Sequence, residues 1–305
     1  MGKGFKVTMK LKDKISEITK KHLLDGNLLY GQCLTAVGNV GGTVPDMEDN
    51  HGIVELSMAD VAGGAFVVGG GLMGKRPIYV IRYQGFSWYN MISIVNYAAK
   101  SKEMWGVPCP ILVRSIAMEG AIGPVAGSSH HSAFYRMPGI KIYSPMTPGE
   151  YQSMYDDFMQ DDSVYYVSEH RGAYDVDYEL NNITFEKPDV CLYPVSITRL
   201  AAMEVSKRLQ DEGINVAVYH QRKLTDHAQD EEVQAAAQAK VSLVLDDDYS
   251  QGVATNIAYN IQKESDIKLN IFPLGLEKKS AGFAKHLDNL PPDANKIYDY
   301  IKGLL

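Results

Sequence analysis

Apolar and polar positions alternate between two periods along almost the whole chain. Residues 10–24 repeat apolar side chains at helical spacing, with Leu11, Ile15, Ile18 and the Leu23-Leu24 pair on one side, and predict an amphipathic helix. Short apolar runs at 28–33, at IVEL after Gly52, at 78–82, in VPCPILVR, in KIYSP and at 164–168 predict strands. Between them lie helical stretches: a Gly- and Ala-rich one from about Asp60 to Met73, IVNYAAKSKEMW, and 148–159 after the start signal TPGE. Strands that alternate with helices predict an α/β fold with a mainly parallel sheet covered on both faces.

The pattern stops at 174–188, a polar and irregular stretch rich in Asp, Asn and Tyr, and then restarts. VCLYPVS, NVAVYH, VSLVLDDD and LNIFPLG predict strands; 197–212, DEEVQAAAQ, 252–261 and the C-terminal NKIYDYIKGLL predict helices. Two domains follow, residues 1–185 and 186–305, each a mainly parallel sheet flanked by helices. A chain of 305 residues, 45% hydrophobic, is long enough to bury a core in each.

Composition narrows the class. A net charge of −7 argues against nucleic acid as a partner. No apolar run is long enough to span a bilayer, and the start, MGKGFKVTMKLKDK, lacks the hydrophobic region of a signal peptide, so a cytoplasmic protein is expected. MGKGFK has Gly after Met but not the Ser or Thr that myristoylation requires. Cys33, Cys109 and Cys191 are odd in number and far apart, which indicates neither a disulfide framework nor a zinc site. Asp246, Asp247 and Asp248 at the end of VSLVLDDD point alternately to opposite faces of a strand, so they are expected to be a solvated strand end with no bound metal.

Residues 53–86 hold the candidate chemistry. A strand runs through a turn into a helix of small residues suited to close backbone approach; Gly74-Lys75-Arg76-Pro77 breaks it, and the next strand delivers Tyr83 and Phe86 at its C-terminal end. An acid, a small-residue helix and two aromatic rings suit a flat heterocycle.

This order resembles the pyrimidine-binding domain of the thiamine diphosphate enzymes: the β subunits of 2-oxoacid dehydrogenase decarboxylating components, and next the transketolases. The resemblance continues through IVNYAAKSKEMWGVPCPILVRS, MPGIKIYSPMTPGEY and the second domain, which is similar to the transketolase C-terminal domain. Anchored at Gly74, Pro77 and Phe86, it puts Asp60 where those families carry the Glu that shares a proton with the aminopyrimidine. GIVELSMADVAGG also resembles the transketolase segment in a register that puts the acid at Glu55. Phe86, with Tyr83, is implied to stack on the ring. Gln32 stands near the acid of the dehydrogenases' GED motif, whereas Gly41-Gly42 reads as a turn.

The Gly-rich loop MEGAIGPVAGSSHHS ends in a His pair, where the families place a His against the substrate and the reactive carbon. HHSAF aligned with the transketolases nominates His130; HS aligned with the dehydrogenases nominates His131. A histidine gives or takes a proton near neutral pH, as the chemistry requires. Adjacent residues on an extended loop point apart, so one is expected to face the cofactor and the other to pack. Glu169-His170-Arg171 closes the last strand of the first domain, where Arg171 is placed either to hold a carboxylate or phosphate or to pair with an acid.

In these families Mg²⁺ held by a GDG motif binds the cofactor's diphosphate, and neither GDG nor a Walker loop occurs here. The resemblance therefore implies a partner, an α-type subunit carrying GDG, in an α2β2 heterotetramer acting on a small keto substrate. The expected function is a β-type subunit that decarboxylates a 2-oxo acid and transfers the acyl group. The alternatives are the C-terminal subunit of a split transketolase, moving a two-carbon ketol unit between sugars, and a non-catalytic regulatory homologue.

Overall fold

Strand segments in which every residue is apolar or paired need cover on both faces, and the computed structural model, which describes residues 9–305, supplies it with two parallel sheets. The reading of MGKGFK falls within residues 1–8, outside the described residues. By internal packing the chain divides into two units: 1–118 with 134–179, and 119–133 with 180–305. The loop carrying the His pair thus belongs to the second unit.

In the first unit α1 (Leu11–Leu24) precedes β1 (Leu29–Gly31), then β2 (Ile53–Glu55), α2 (Asp60–Leu72) and β3 (Ile78–Ile81). After a short turn of helix at Ser87–Asn90 come α3 (Ala99–Trp105), β4 (Ile111–Ala117), β5 (Ile140–Tyr143), α4 (Pro148–Gln160) and β6 (Val164–His170). The strands are all parallel, in the order β2-β1-β3-β4-β6-β5. The α4 start follows its sequence signal: Thr147 Oγ1 accepts the Glu150 N–H, and Pro148 takes the first turn, where no backbone donor is needed. Gly41 and Gly42 lie in a left-handed turn, with Asn39, Val40 and Gly41 all at positive φ.

One charged pair crosses the middle of this sheet. Arg114 on β4 donates from Nε and Nη2 to the two carboxylate oxygens of Glu169 on β6, at 2.8 and 2.7 Å, and both side chains are buried. Arg114 also donates to Thr43 Oγ1 and Tyr174 donates to Glu169, so the pair's desolvation is offset by further hydrogen bonds. Glu169 therefore pairs with Arg114, and Arg171 is left exposed at the strand end.

The second unit is built from β7 (Val190–Pro194), α5 (Thr198–Gln210), β8 (Val216–Val218), α6 (Asp230–Gln238), β9 (Val241–Tyr249), α7 (Val253–Lys263), β10 (Ile271–Leu276) and α8 (Ala294–Lys302). Its four strands are parallel, in the order β10-β9-β7-β8. Leu192, Val218 and Leu243 pack against Val205 and Leu209 of α5 and Ile297 of α8. Asp293 caps α8 by accepting the Lys296 N–H at 2.8 Å. No described helix is long and apolar enough to cross a membrane.

Candidate active site

The C-terminal ends of β1 and β3 open onto a cavity of about 340 Å³ in the first unit. Its lining brings together four residues singled out from the sequence, Gln32, Asp60, Tyr83 and Phe86, with Asn90 and Met58 beside them. Strand ends of a parallel sheet are where an α/β fold presents its loops to a ligand. Gln32 follows β1, Tyr83 and Phe86 follow β3, and Asp60 is the first residue of α2, where a carboxylate complements the helix dipole. The Tyr83 and Phe86 rings lie 6.2 Å apart at 45°.

Asp60 is half-buried, and its Oδ1 accepts a hydrogen bond of 2.7 Å from Asn90 Nδ2. The same nitrogen donates to the Phe86 carbonyl at 2.9 Å, and Tyr79 donates to Asn90 Oδ1. Burial, and then the nearby Asp60 charge, push the Tyr79 hydroxyl well above its ordinary range, so it stays a donor. Asn90 and Tyr79 escaped the sequence reading. The signal was present only as the glycine pair in α2: a Cβ on Gly64 would stand 2.2 Å from the Asn90 carbonyl oxygen, and one on Gly63 2.8 Å from the Tyr79 hydroxyl. Gln32 Nε2 is buried with no hydrogen-bond partner among the described residues, a donor at the cavity that nothing satisfies.

Glu55 is set apart from this group. It ends β2, outside the cavity lining, and its carboxylate accepts the Leu34 N–H at 2.8 Å and the Thr35 N–H at 3.3 Å. It clamps the loop that follows β1. Arg171 also lies outside the cavity lining, with its guanidinium 4.0 Å from Met118 Sδ.

The His pair has different neighbours. His131 is fully buried, with Nε2 3.1 Å from Asp246 Oδ1 and 4.0 Å from Asp248 Oδ2. Burial opposes a charge on this ring, but Asp246 by charge and hydrogen bond, and Asp248 and Asp247 by charge, outweigh it and hold the imidazole protonated up to about 10. His130 is half-buried, with its ring 6.3 Å from that of Tyr249. Burial and the positive His131 push its pKa down, against the pull of Asp248.

The expectation of a solvated strand end at Asp246, Asp247 and Asp248 is corrected here: the three are 0, 1 and 2% exposed. Asp247 accepts from Ser129 and Ser196 at 2.6 and 2.7 Å, and Asp248 from the Ser132 and Tyr249 amides at 2.8 and 2.6 Å. The 119–133 loop covers this strand end, reaching Asp247 through Ser129, Asp246 through His131 and Asp248 through Ser132, and Ser196 supplies a second donor for Asp247. Ligand atoms of His131, Asp246 and Asp247 lie within 4.8 Å of one another; with His131 protonated, its charge serves as the counter-ion there.

Residues 37–176 match the model of the transketolase pyrimidine-binding domain. The β subunit of acetoin:2,6-dichlorophenolindophenol oxidoreductase from Cupriavidus necator is 24% identical over 250 residues, 75% of this chain and 73% of the relative. The β subunit of 2-oxoisovalerate dehydrogenase from Bacillus subtilis is 25% identical over 68% of each chain, and that of the pyruvate dehydrogenase E1 component from Rickettsia bellii 25% over 70% of each. Among solved structures, a split-gene transketolase described as an inactive β4 tetramer superposes with a TM-score of 0.69 at 13% identity, covering 97% of this chain and 96% of that one, a likeness of fold. Over residues 37–176 the chain is thus similar to the transketolase pyrimidine-binding domain, and over about two thirds or more of its length to the β subunits of acetoin- and 2-oxoacid-oxidising enzymes.

Proposed function

We propose that the chain is the β-type subunit of a heteromeric thiamine diphosphate enzyme that decarboxylates a 2-oxo acid and passes on the acyl group. The observation that carries this is the cavity beyond β1 and β3, where one carboxylate, two aromatic rings and one unsatisfied amide surround a space suited to a flat heteroaromatic ring. The residues present fit a pyrimidine. Asp60 holds the shared proton, Phe86 and Tyr83 flank the ring, and Gln32 Nε2 gains an acceptor. When bound, thiamine diphosphate supplies the electron sink for loss of the carboxyl group. His130, the more open of the loop pair, manages protons on the substrate side, with His131 committed to the acids behind it. Arg171, exposed at the end of β6, is assigned to the substrate carboxylate.

A partner supplies the rest. The outer faces of α2 and the segment after β3 expose Phe66, Met73, Trp88, Tyr89, Tyr97 and Trp105, an apolar surface of a kind that protein contacts normally cover. A second, open groove reaches Asp60 along Val61, Ala65 and Tyr89. An α-type subunit bearing GDG and Mg²⁺ in an α2β2 assembly, in the cytoplasm, meets both needs. The split-transketolase reading retains the GIVELSM pattern, but its register puts the acid at Glu55, whose carboxylate is spent on the Leu34 and Thr35 amides.

The test is co-expression with a GDG-bearing subunit, followed by assays with 2-oxo acids and an artificial electron acceptor. CO₂ release that requires both subunits is expected. Ketol transfer between sugars without CO₂ release would establish the transketolase alternative, and an assembled complex inert in both assays would leave the regulatory one. Tight one-to-one binding of thiamine diphosphate by this chain alone would sink the two-subunit reading.

A further inference from the structure

Asp60 is one methylene shorter than the Glu of the families it resembles, and the structure shows what surrounds it instead. Asn90 is 3% exposed and Tyr79 1%, so their polar atoms must be satisfied from within the protein. The orientation of the Asn90 amide follows from its neighbours. One end faces the Phe86 carbonyl and the Asp60 carboxylate, both acceptors, so that end is the nitrogen. The other end is then the carbonyl, and Tyr79, which burial keeps protonated, must donate to it. The amide has no second orientation that satisfies all three contacts.

We propose that Asn90, locked by Tyr79, is a positioning residue for Asp60: it occupies Oδ1 and thereby confines the exchangeable proton to Oδ2, which takes no hydrogen bond among the described residues. This rests on Asp60 being the pyrimidine's proton partner. A carboxylate free to rotate about its last torsion presents either oxygen to a ligand. One whose Oδ1 is tied to a fixed amide presents a single oxygen in a single direction, a form of preorganisation that a shorter acid needs more than a longer one. The glycines of α2 belong to the same device. Gly64 lets the helix lie against the Asn90 backbone and Gly63 leaves room for the Tyr79 hydroxyl, so both the donor and its lock sit directly beneath the residue they orient.

The experiment compares two ligands on the full chain by ligand-observed NMR titration, which reads weak affinities without a partner or turnover. One is thiamine; the other is the analogue in which the proton-accepting pyrimidine nitrogen is replaced by CH. The native chain is expected to prefer thiamine. Asn90→Leu, which keeps the volume but removes the donor, is expected to lower that preference about tenfold while affinity for the analogue stays within about twofold. Tyr79→Phe, which deletes one oxygen, lowers it about threefold in the same selective way, and this variant keeps the proposal testable where Asn90→Leu does not fold. A merely structural role for either residue would weaken both ligands alike. An unchanged preference in both variants, or equal losses for both ligands, overturns the positioning role and leaves the cavity assignment standing. A native chain that binds neither ligand, or both alike, overturns the pyrimidine reading as well.

Discussion

The two acidic sites of this protein differ in how completely their carboxylates are satisfied. Asp60 stands at a helix start on a cavity wall, half-buried, with one oxygen engaged and the other without a hydrogen bond among the described residues. Asp246, Asp247 and Asp248 are buried at the end of β9, each with donors from the 119–133 loop or the surrounding backbone, and with a protonated imidazole among them. A poised carboxylate keeps a vacancy for a ligand, whereas a structural one spends its lone pairs inside the protein. The first arrangement suits proton exchange. The second suits fixing a loop.

The sharpest way to break this contrast is to remove one acid of the first kind. Asp60→Ala is expected to abolish measurable turnover of the reconstituted complex, with the circular dichroism spectrum and melting temperature close to native. Glu55→Gln should leave turnover within a few-fold and lower stability by ~1 kcal/mol, since it weakens hydrogen bonds to the Leu34 and Thr35 amides. The reverse ranking in a steady-state assay would move the acid to Glu55.

The His pair separates the two behaviours within adjacent residues. His130→Ala should reduce turnover by roughly 10²- to 10⁴-fold, the usual contribution of a positioned acid or base, with little change in unfolding midpoint. His131→Ala should act mainly on stability, by roughly 3–5 kcal/mol, because it leaves buried acids without their counter-charge. Denaturant melts beside kinetics on both variants decide it. Near-native rates for both would remove this loop from the proton path.

Much of this architecture was legible in the sequence because each element carried its own signal. Thr147-Pro148 announced α4, the apolar run VPCPILVR announced a central strand, and the spacing from Asp60 to Phe86 matched a known motif. What could not be read was whatever depends on segments far apart in the chain. The three aspartates looked solvated because local alternation does not show that residues 119–133 cover that strand end. Glu169 pairs with Arg114 rather than with Arg171 nearby, because β4 and β6 are neighbours in the sheet. Asn90 gave no sign of its role: a lone Asn after Trp-Tyr has no pattern, and only the glycines opposite it record the close approach.

The smallest expected effect is on the pH dependence of the second unit's stability, where the sign follows from two histidines shifted in opposite directions. His220 is held neutral, with its pKa lowered to about 3 by burial and the adjacent Arg199 charge. Between about 3 and its unfolded value near 6.5, the folded state therefore binds fewer protons than the unfolded one, and stability rises with pH. His131 is held protonated up to about 10, so from about 6.5 to 10 the folded state binds the extra proton and stability falls as pH rises. Together these place the maximum near pH 6.5, with a loss on the order of 5 °C in melting temperature by pH 9. Amide hydrogen exchange of β9 followed across this range reads the second unit by itself. In His131→Gln the alkaline decline should flatten while the acid limb from His220 persists. An alkaline limb that survives the substitution would mean that the buried acids are neutralised by protons of their own and not by His131.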